Sequence, residues 1–193
     1  MKKNVILASI IILLSLPVTS AGDLKGKIKA GGEGLSDVVV SLAPIEKKNF
    51  PAPKETAIMD QKNLAFVSHV LPVLIGTKVV FPNSDQTRHS VFSRSKIKKF
   101  DFGTYPPGTE KSIICDEAGI LTVLCYIHHD MSAYIVVLET PYFATTNESG
   151  EYTIHNILPG KYHLTFWHEE REIKSQDIVI PEHGTVNKNI SLE

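Results

Sequence analysis

Of the 193 residues only two are cysteine, three are methionine and one is tryptophan. Two thiols cannot build the multi-disulfide framework of a small secreted scaffold. The uncharged run from Val5 to about Val18 falls short of the roughly 20 apolar residues that a spanning helix needs. Basic and acidic residues nearly balance, 20 against 21, which leaves no basic excess for binding nucleic acid. There is no internal repeat, no low-complexity tract and no long amphipathic helical pattern.

What is present begins with an export signal. In "MKKNVILASIIILLSLPVTSAGDL", Lys2 and Lys3 form a positive n-region, the apolar run follows, and Thr19, Ser20 and Ala21 supply small residues for cleavage. Residues 1–21 are therefore read as a cleaved signal peptide, Gly22 as the first mature residue, and the protein as periplasmic. With no Cys at the cut, a lipoprotein anchor is not expected, and no membrane span remains after cleavage. Loss of Lys2 and Lys3 leaves 18 basic residues against 21 acidic ones.

About 170 mature residues suffice for one large or two small domains. Eleven prolines, twelve glycines and many Val, Ile, Thr and Tyr residues favour strands. "LKGKIKA" alternates Leu24 and Ile28 with Lys25, Lys27 and Lys29, a strand with one wet face, and "GGEG" should turn it into a hairpin with "DVVVSLAP". "NFPAPKE" marks a boundary. From about Thr56 to Leu138 short apolar strands alternate with turns, as in a sandwich or barrel. Beyond Pro141 the alternation of "GEYTIH" and "GKYHLTFW" signals a second strand-rich unit.

The stretch "EKSIICDEAGILTVLCYI" reads as a hairpin turning at Asp116 to Gly119. It would hold Cys115 and Cys125 about 16 Å apart along the ladder. A disulfide needs Cα atoms within about 7 Å, so both cysteines are expected to be free.

"CYIHHDM" then carries the chemistry. Cys125 ends a strand, His128 lies three residues on, and Met131 three beyond it. Soft sulfur with imidazole suits copper, and two His with one Cys and a long axial Met is the blue-copper arrangement. The second His would come from elsewhere, and "VVFPNSDQTRHSVFS" offers His89 after an apolar strand and a polar turn.

"IGTKVVFPNSDQTRHSVF" resembles the first copper-ligand segment of plastocyanin- and amicyanin-like cupredoxins. "GILTVLCYIHHDM" resembles their second segment, with the Cys-x2-His-x2-Met loop of the amicyanin-like members. Residues 55–140 are thus similar to cupredoxins of the methylamine utilisation protein type. The resemblance implies a Greek-key β-sandwich, one type 1 copper ion, and His89, Cys125, His128 and Met131 as its ligands. Two departures are visible: Ser90 stands where many cupredoxins have Asn, and His129 stands where the loop usually has Pro. His129 is therefore an alternative to His128.

The ends of the chain resemble a different family. "LKGKIKAGGEGLSDVVVSLAP" and "ATTNESGEYTIHNILPGKYHLTFWHEE" are similar to the two parts of a carboxypeptidase regulatory-like module. This implies an all-β protein in which a smaller Ig-like or transthyretin-like sandwich, residues 22–50 and 141–193, is interrupted by the cupredoxin.

The function implied is electron carriage between redox proteins such as c-type cytochromes or a periplasmic dehydrogenase or peroxidase. The alternative is a copper carrier or resistance protein using the same ligands. An enzyme is not expected, because the trinuclear cluster of a multicopper oxidase draws on His-x-His pairs and the chain has none. The remaining histidines, His69, His155, His163, His168 and His183, are read as structural or surface residues, Met59 as core, and Trp167 as a core or edge anchor of the C-terminal module. Arg88, Arg94, Lys96, Lys98 and Lys99 are read as a solvated loop, the alternative being a docking patch for an acidic partner.

Overall fold

The computed structural model describes residues 21–193. The expected signal peptide, apart from its last residue, lies outside the described residues. Strands account for all the regular structure among the described residues. Before the proline segment come β1 (Gly22–Ala30), β2 (Glu33–Gly34) and β3 (Val39–Pro44). Then follow β4 (Ala57–Ile58), β5 (Asp60–Lys62), β6 (Ala65–Val67), β7 (Val70–Leu74), β8 (Lys78–Pro82), β9 (His89–Ser95), β10 (Lys98–Tyr105), β11 (Glu110–Ile114), β12 (Gly119–Leu124) and β13 (Ser132–Leu138). The chain closes with β14 (Phe143–Thr145), β15 (Glu151–Ile157), β16 (Gly160–Trp167), β17 (Gln176–Ile180), β18 (Thr185–Asn187) and β19 (Ile190–Leu192).

Strands β4 to β13 pair only among themselves and form an inner Greek-key sandwich. One sheet runs β10-β9-β12-β13-β7 and the other β11-β8-β4, with the β5-β6 hairpin attached through a Gln61–Asn83 bridge. Between the sheets lie Met59, Val79, Phe81, Val91, Leu121, Val123, Ala133, Ile135 and Val137, all buried. Met59 is a core residue, as its apolar character suggests.

Strands β1 to β3 pair only with one another and with β14 to β19. One sheet is β15-β1-β18 with β2 and β19 on β1, and the other is β14-β3-β16-β17. Their core is built on Leu24, Ile28, Val40, Leu42, Tyr152, Ile154, Tyr162 and Leu164. Gly26 has a steric reason: a Cβ there would collide with the Lys188 carbonyl, whose own amide donates to Lys25 O at 2.8 Å. The two segments of this outer sandwich touch where the chain leaves and returns. Leu42 N–H donates to Tyr142 O at 2.9 Å, and Thr140 Oγ1 donates to Leu42 O at 2.7 Å.

Three local expectations are corrected. The first is the hairpin from Glu110 to Ile127: β11 pairs with β8, whereas β12 pairs with β13 and β9. Residues 115–118 form an arch between sheets, because Cys115 N–H donates to Thr77 O and Gly76 N–H to Cys115 O, which ties the end of β11 to the turn before β8. Both cysteines are nonetheless free and buried.

The second is the hairpin of "LKGKIKA" with "DVVVSLAP". Through Gly31 and Gly32, both at positive φ, β1 turns only onto the two-residue β2. Strand β3 crosses to the other sheet because both its faces are covered: Val40 and Leu42 enter the outer core, and Val39 packs toward the inner sandwich. A strand buried on both sides has no solvent face to match the lysines of β1.

The third is the basic cluster. Arg94, Lys98 and Lys99 lie on the β9–β10 hairpin rather than in a loop, with Lys99 opposite Arg94 and Lys98 opposite Ser95. Lys98 is paired with Asp116 at 2.9 Å. Alternation of half-buried Phe100 and Phe102 with exposed Lys99 and Asp101 along β10 was the available signal, obscured by the density of charge.

The two sandwiches pack face to face. Residues Val136, Tyr134 and Leu138 of β13, with Val70 of β7, meet Val39 and Trp167 of the outer sandwich. Trp167 lies 5.2 Å from the Tyr134 ring, so it anchors the junction rather than the outer core. Coverage on both faces explains why "SAYIVVL" is apolar almost throughout.

Candidate metal centre

One end of the inner sandwich gathers the segments that carry His89 and Cys125. The turn before β9 is held by its own side chains: Asn83 Nδ2 donates to Thr87 O at 2.9 Å, and the Asp85 amide donates to Asn83 Oδ1 at 3.1 Å. That staple delivers His89 to the first position of β9, fully buried. Cys125 follows β12 directly, and Leu124 pairs with Phe92 of β9, so the two sites are neighbours by register. The connecting loop turns back when the Met131 amide donates to His128 O at 3.1 Å.

The donor atoms converge. Cys125 Sγ lies 4.0 Å from His89 Nδ1 and 3.9 Å from His128 Nδ1, and the two nitrogens are 3.0 Å apart. A triangle with those edges has a centre equidistant from its corners at about 2.1 Å, within about 0.2 Å of ordinary metal–imidazole and metal–thiolate bond lengths. Met131, buried, belongs to the same core cluster as Cys125. A borderline-soft ion such as copper fits this donor set.

Both imidazoles present Nδ1, and for His89 the tautomer is fixed by its other nitrogen. His89 Nε2 donates to Asp85 Oδ2 at 3.0 Å, which leaves the Nδ1 lone pair directed at the thiol. The Leu64 amide, first, and then His89 hold the Asp85 carboxyl below the usual carboxylate range, against partial desolvation.

Ser90 links the two segments that carry His89 and Cys125. Its Oγ accepts the Tyr126 amide at 2.8 Å and stands 3.8 Å from Cys125 Sγ. It makes the smaller version of an Asn-type tie. Tyr126 stacks flat on Phe92, with ring centroids 3.7 Å apart, and accepts a hydrogen bond from Arg94 Nη2 at 3.0 Å. His128 is partly exposed and follows two exposed residues, Tyr126 at 43% and Ile127 at 44%. His129 is exposed and stands outside the cluster, in which His128 is the third donor.

The other histidines lie elsewhere. His155 contacts Asp23 at 3.1 Å and His163 contacts Asp177 at 2.8 Å, both at the surface of the outer sandwich. His69 joins Glu169 at 2.7 Å across the junction of the two sandwiches. Asp85 was missed in the sequence, where an acid four residues before a His in a polar turn is too common a pattern to single out. The Gln61–Tyr105 contact at 2.6 Å was missed as well, since its partners are 44 positions apart.

The family described as "Polysaccharide lyase family 4, domain II" matches residues 136–188, little more than a quarter of the chain. The match begins inside β13, a strand of the inner sandwich, and omits β1 to β3. No curated protein matches the sequence. Among solved structures, a purple cupredoxin from Nitrosopumilus maritimus is similar at 18% identity and a TM-score of 0.40, over 42% of this chain and 99% of that one. A single-substitution variant of reduced amicyanin is similar at 17% identity and a TM-score of 0.41, over 51% of this chain and 98% of that one. A copper-containing nitrite reductase from Thermus scotoductus SA-01 gives 21% identity and a TM-score of 0.43 over 50% of this chain; the similarity spans a quarter of that chain, 25%.

Proposed function

We propose that the chain is a copper protein that carries single electrons between redox partners, with His89, Cys125, His128 and Met131 as the ligands of one type 1 copper ion. The observation that supports this most directly is the triangle of His89 Nδ1, Cys125 Sγ and His128 Nδ1, whose centre lies at bonding distance from all three.

Copper, when bound, supplies the one-electron couple; the chain supplies a fixed, dry setting. Asp85 orients His89, Ser90 joins the two ligand segments, and His89 and Cys125 come from the ends of strands in one sheet. Rigid donors limit rearrangement between oxidation states. Burial of His89, Cys125 and Met131 keeps water from those sides. His128, which follows the exposed Tyr126 and Ile127, is the partly exposed ligand and the route by which an electron would enter or leave.

The signal segment sends the protein to the periplasm. Residues 55–140 form the copper domain, and residues 22–50 and 141–193 form the regulatory-like module into which it is inserted, a division supported by strand pairing. Partners would be redox proteins such as c-type cytochromes or a periplasmic dehydrogenase or peroxidase, and no substrate is turned over.

The test is to add copper to the purified mature chain and record its visible spectrum and voltammogram. Intense thiolate-to-copper absorption with a reversible one-electron wave supports an electron carrier. A colourless, tightly held copper without a reversible wave supports the copper-carrier reading instead.

A further inference from the structure

The junction between the sandwiches reaches the ligand loop through one histidine. His69 lies in the connection between β6 and β7, and its carbonyl accepts the Tyr134 amide at 2.8 Å. Its Nδ1 is 3.1 Å from Ser132 O, and its Nε2 is 2.7 Å from Glu169 Oε1. Ser132 directly follows Met131, and Glu169 follows Trp167 at the end of β16 in the outer sandwich.

Both partners of the ring are acceptors: a backbone carbonyl and a carboxylate. An imidazole N–H aimed at either acceptor ties the ring to that segment, and the ring lies within hydrogen-bond distance of both. Tyr134, whose ring meets the His69 edge at 5.6 Å and Trp167 at 5.2 Å, packs the group from the β13 side. Burial pushes the Tyr134 hydroxyl above its ordinary value, as do Glu169 and Glu170 beside it. Partial burial works against Glu169, but His69, Tyr134 and His168 hold its carboxyl below the usual range.

We infer that the outer sandwich is a working part of the metal centre: Glu169 braces His69, and His69 clamps the Ser132 carbonyl, which fixes where Met131 stands. The inference rests on reading Met131 as a ligand. Glu169 and His69 are positioning residues. They touch neither copper nor its other donors, and they act on the exit of the ligand loop. The axial contact is the ligand whose distance and character tune such a site. The module is thereby more than a spacer, because the strand that carries Met131 into β13 is held from both of its faces.

The test uses the full mature chain with Glu169→Gln and His69→Asn. In the metal-free protein, amide hydrogen exchange at Met131 and Tyr134 is expected to quicken roughly three- to tenfold in either variant, the effect of losing one clamping hydrogen bond. In the double variant it should quicken no further. In the copper-loaded protein, Glu169→Gln should shift the midpoint potential and the charge-transfer band, and the shift should vanish in a Met131→Leu background. Unchanged exchange at both amides overturns the inference. So does a potential shift of equal size with and without Met131, since that is the signature of a remote charge rather than of positioning. A chain that shows no reversible couple at all overturns the electron-carrier reading, and the exchange measurement on metal-free protein still decides the brace.

Discussion

The hydroxyl of Ser90 accepts the Tyr126 amide at 2.8 Å, so the residue after one proposed ligand is bonded to the residue after another. The bond is partly buried and joins β9 to the loop beyond β12. Ser90→Ala leaves the Tyr126 N–H without its acceptor. The expected cost is about 1–3 kcal/mol in denaturant unfolding of the metal-free chain, with an altered charge-transfer band in the copper form. Unchanged stability and spectrum would show that the tie is dispensable.

The ligand set makes its own prediction. Cys125→Ser should abolish thiolate-to-copper absorption, because a hydroxyl is a poor soft donor. His89→Ala should open the site, whereas His129→Ala should leave the colour, since His129 is exposed and stands outside the cluster. Bleaching by His129→Ala but not by His128→Ala would overturn the assignment.

Cys115 should behave as a small apolar side chain. Burial pushes its thiol up to about 11. Mass spectrometry of the unreduced mature protein is expected to find both thiols free. A Cys115–Cys125 link would remove the thiolate that the metal needs.

Alkali should unfold the metal-free chain earlier than its acidic groups would suggest. Burial also pushes the hydroxyls of Tyr105 and Tyr152 up to about 12. Such groups ionise more easily in the unfolded chain, which therefore binds fewer protons at high pH. Their contribution to stability is complete below the unfolded values and is lost as pH rises through about 9 to 12. Denaturant midpoints should be level from pH 7 to 9 and then fall. Cys115→Ala should delay the start of the decline.

A chain joining residues 22–50 to 141–193 through a short Gly/Ser turn is expected to unfold cooperatively without copper. Its two parts already meet at Leu42 and Tyr142. Residues 141–193 alone should stay unfolded, because β15 loses β1 and β16 loses β3. Cooperative melting of the short piece by circular dichroism would show that the insertion reading is wrong.

Candidate donors were legible because their signal is local. Cys125, His128 and Met131 fall within seven positions, and strand alternation around Leu24 and Tyr152 needs only its neighbours. All-β character and the boundary prolines follow from composition and spacing of the same kind, whereas the two thiols are free although the hairpin that was to separate them does not form. Pairing is another matter. That Cys115 ends a strand of one sheet and Gly119 starts a strand of the other depends on which edges are left open by residues far away, so the local pattern suggested a hairpin. Only packing could decide that β13 is buried on both faces, that Trp167 belongs to the junction, or that Asp85 and Ser90 would stand beside the donors. Each of these is a long-range contact whose energy comes from desolvating two surfaces together, and neither surface alone encodes its partner.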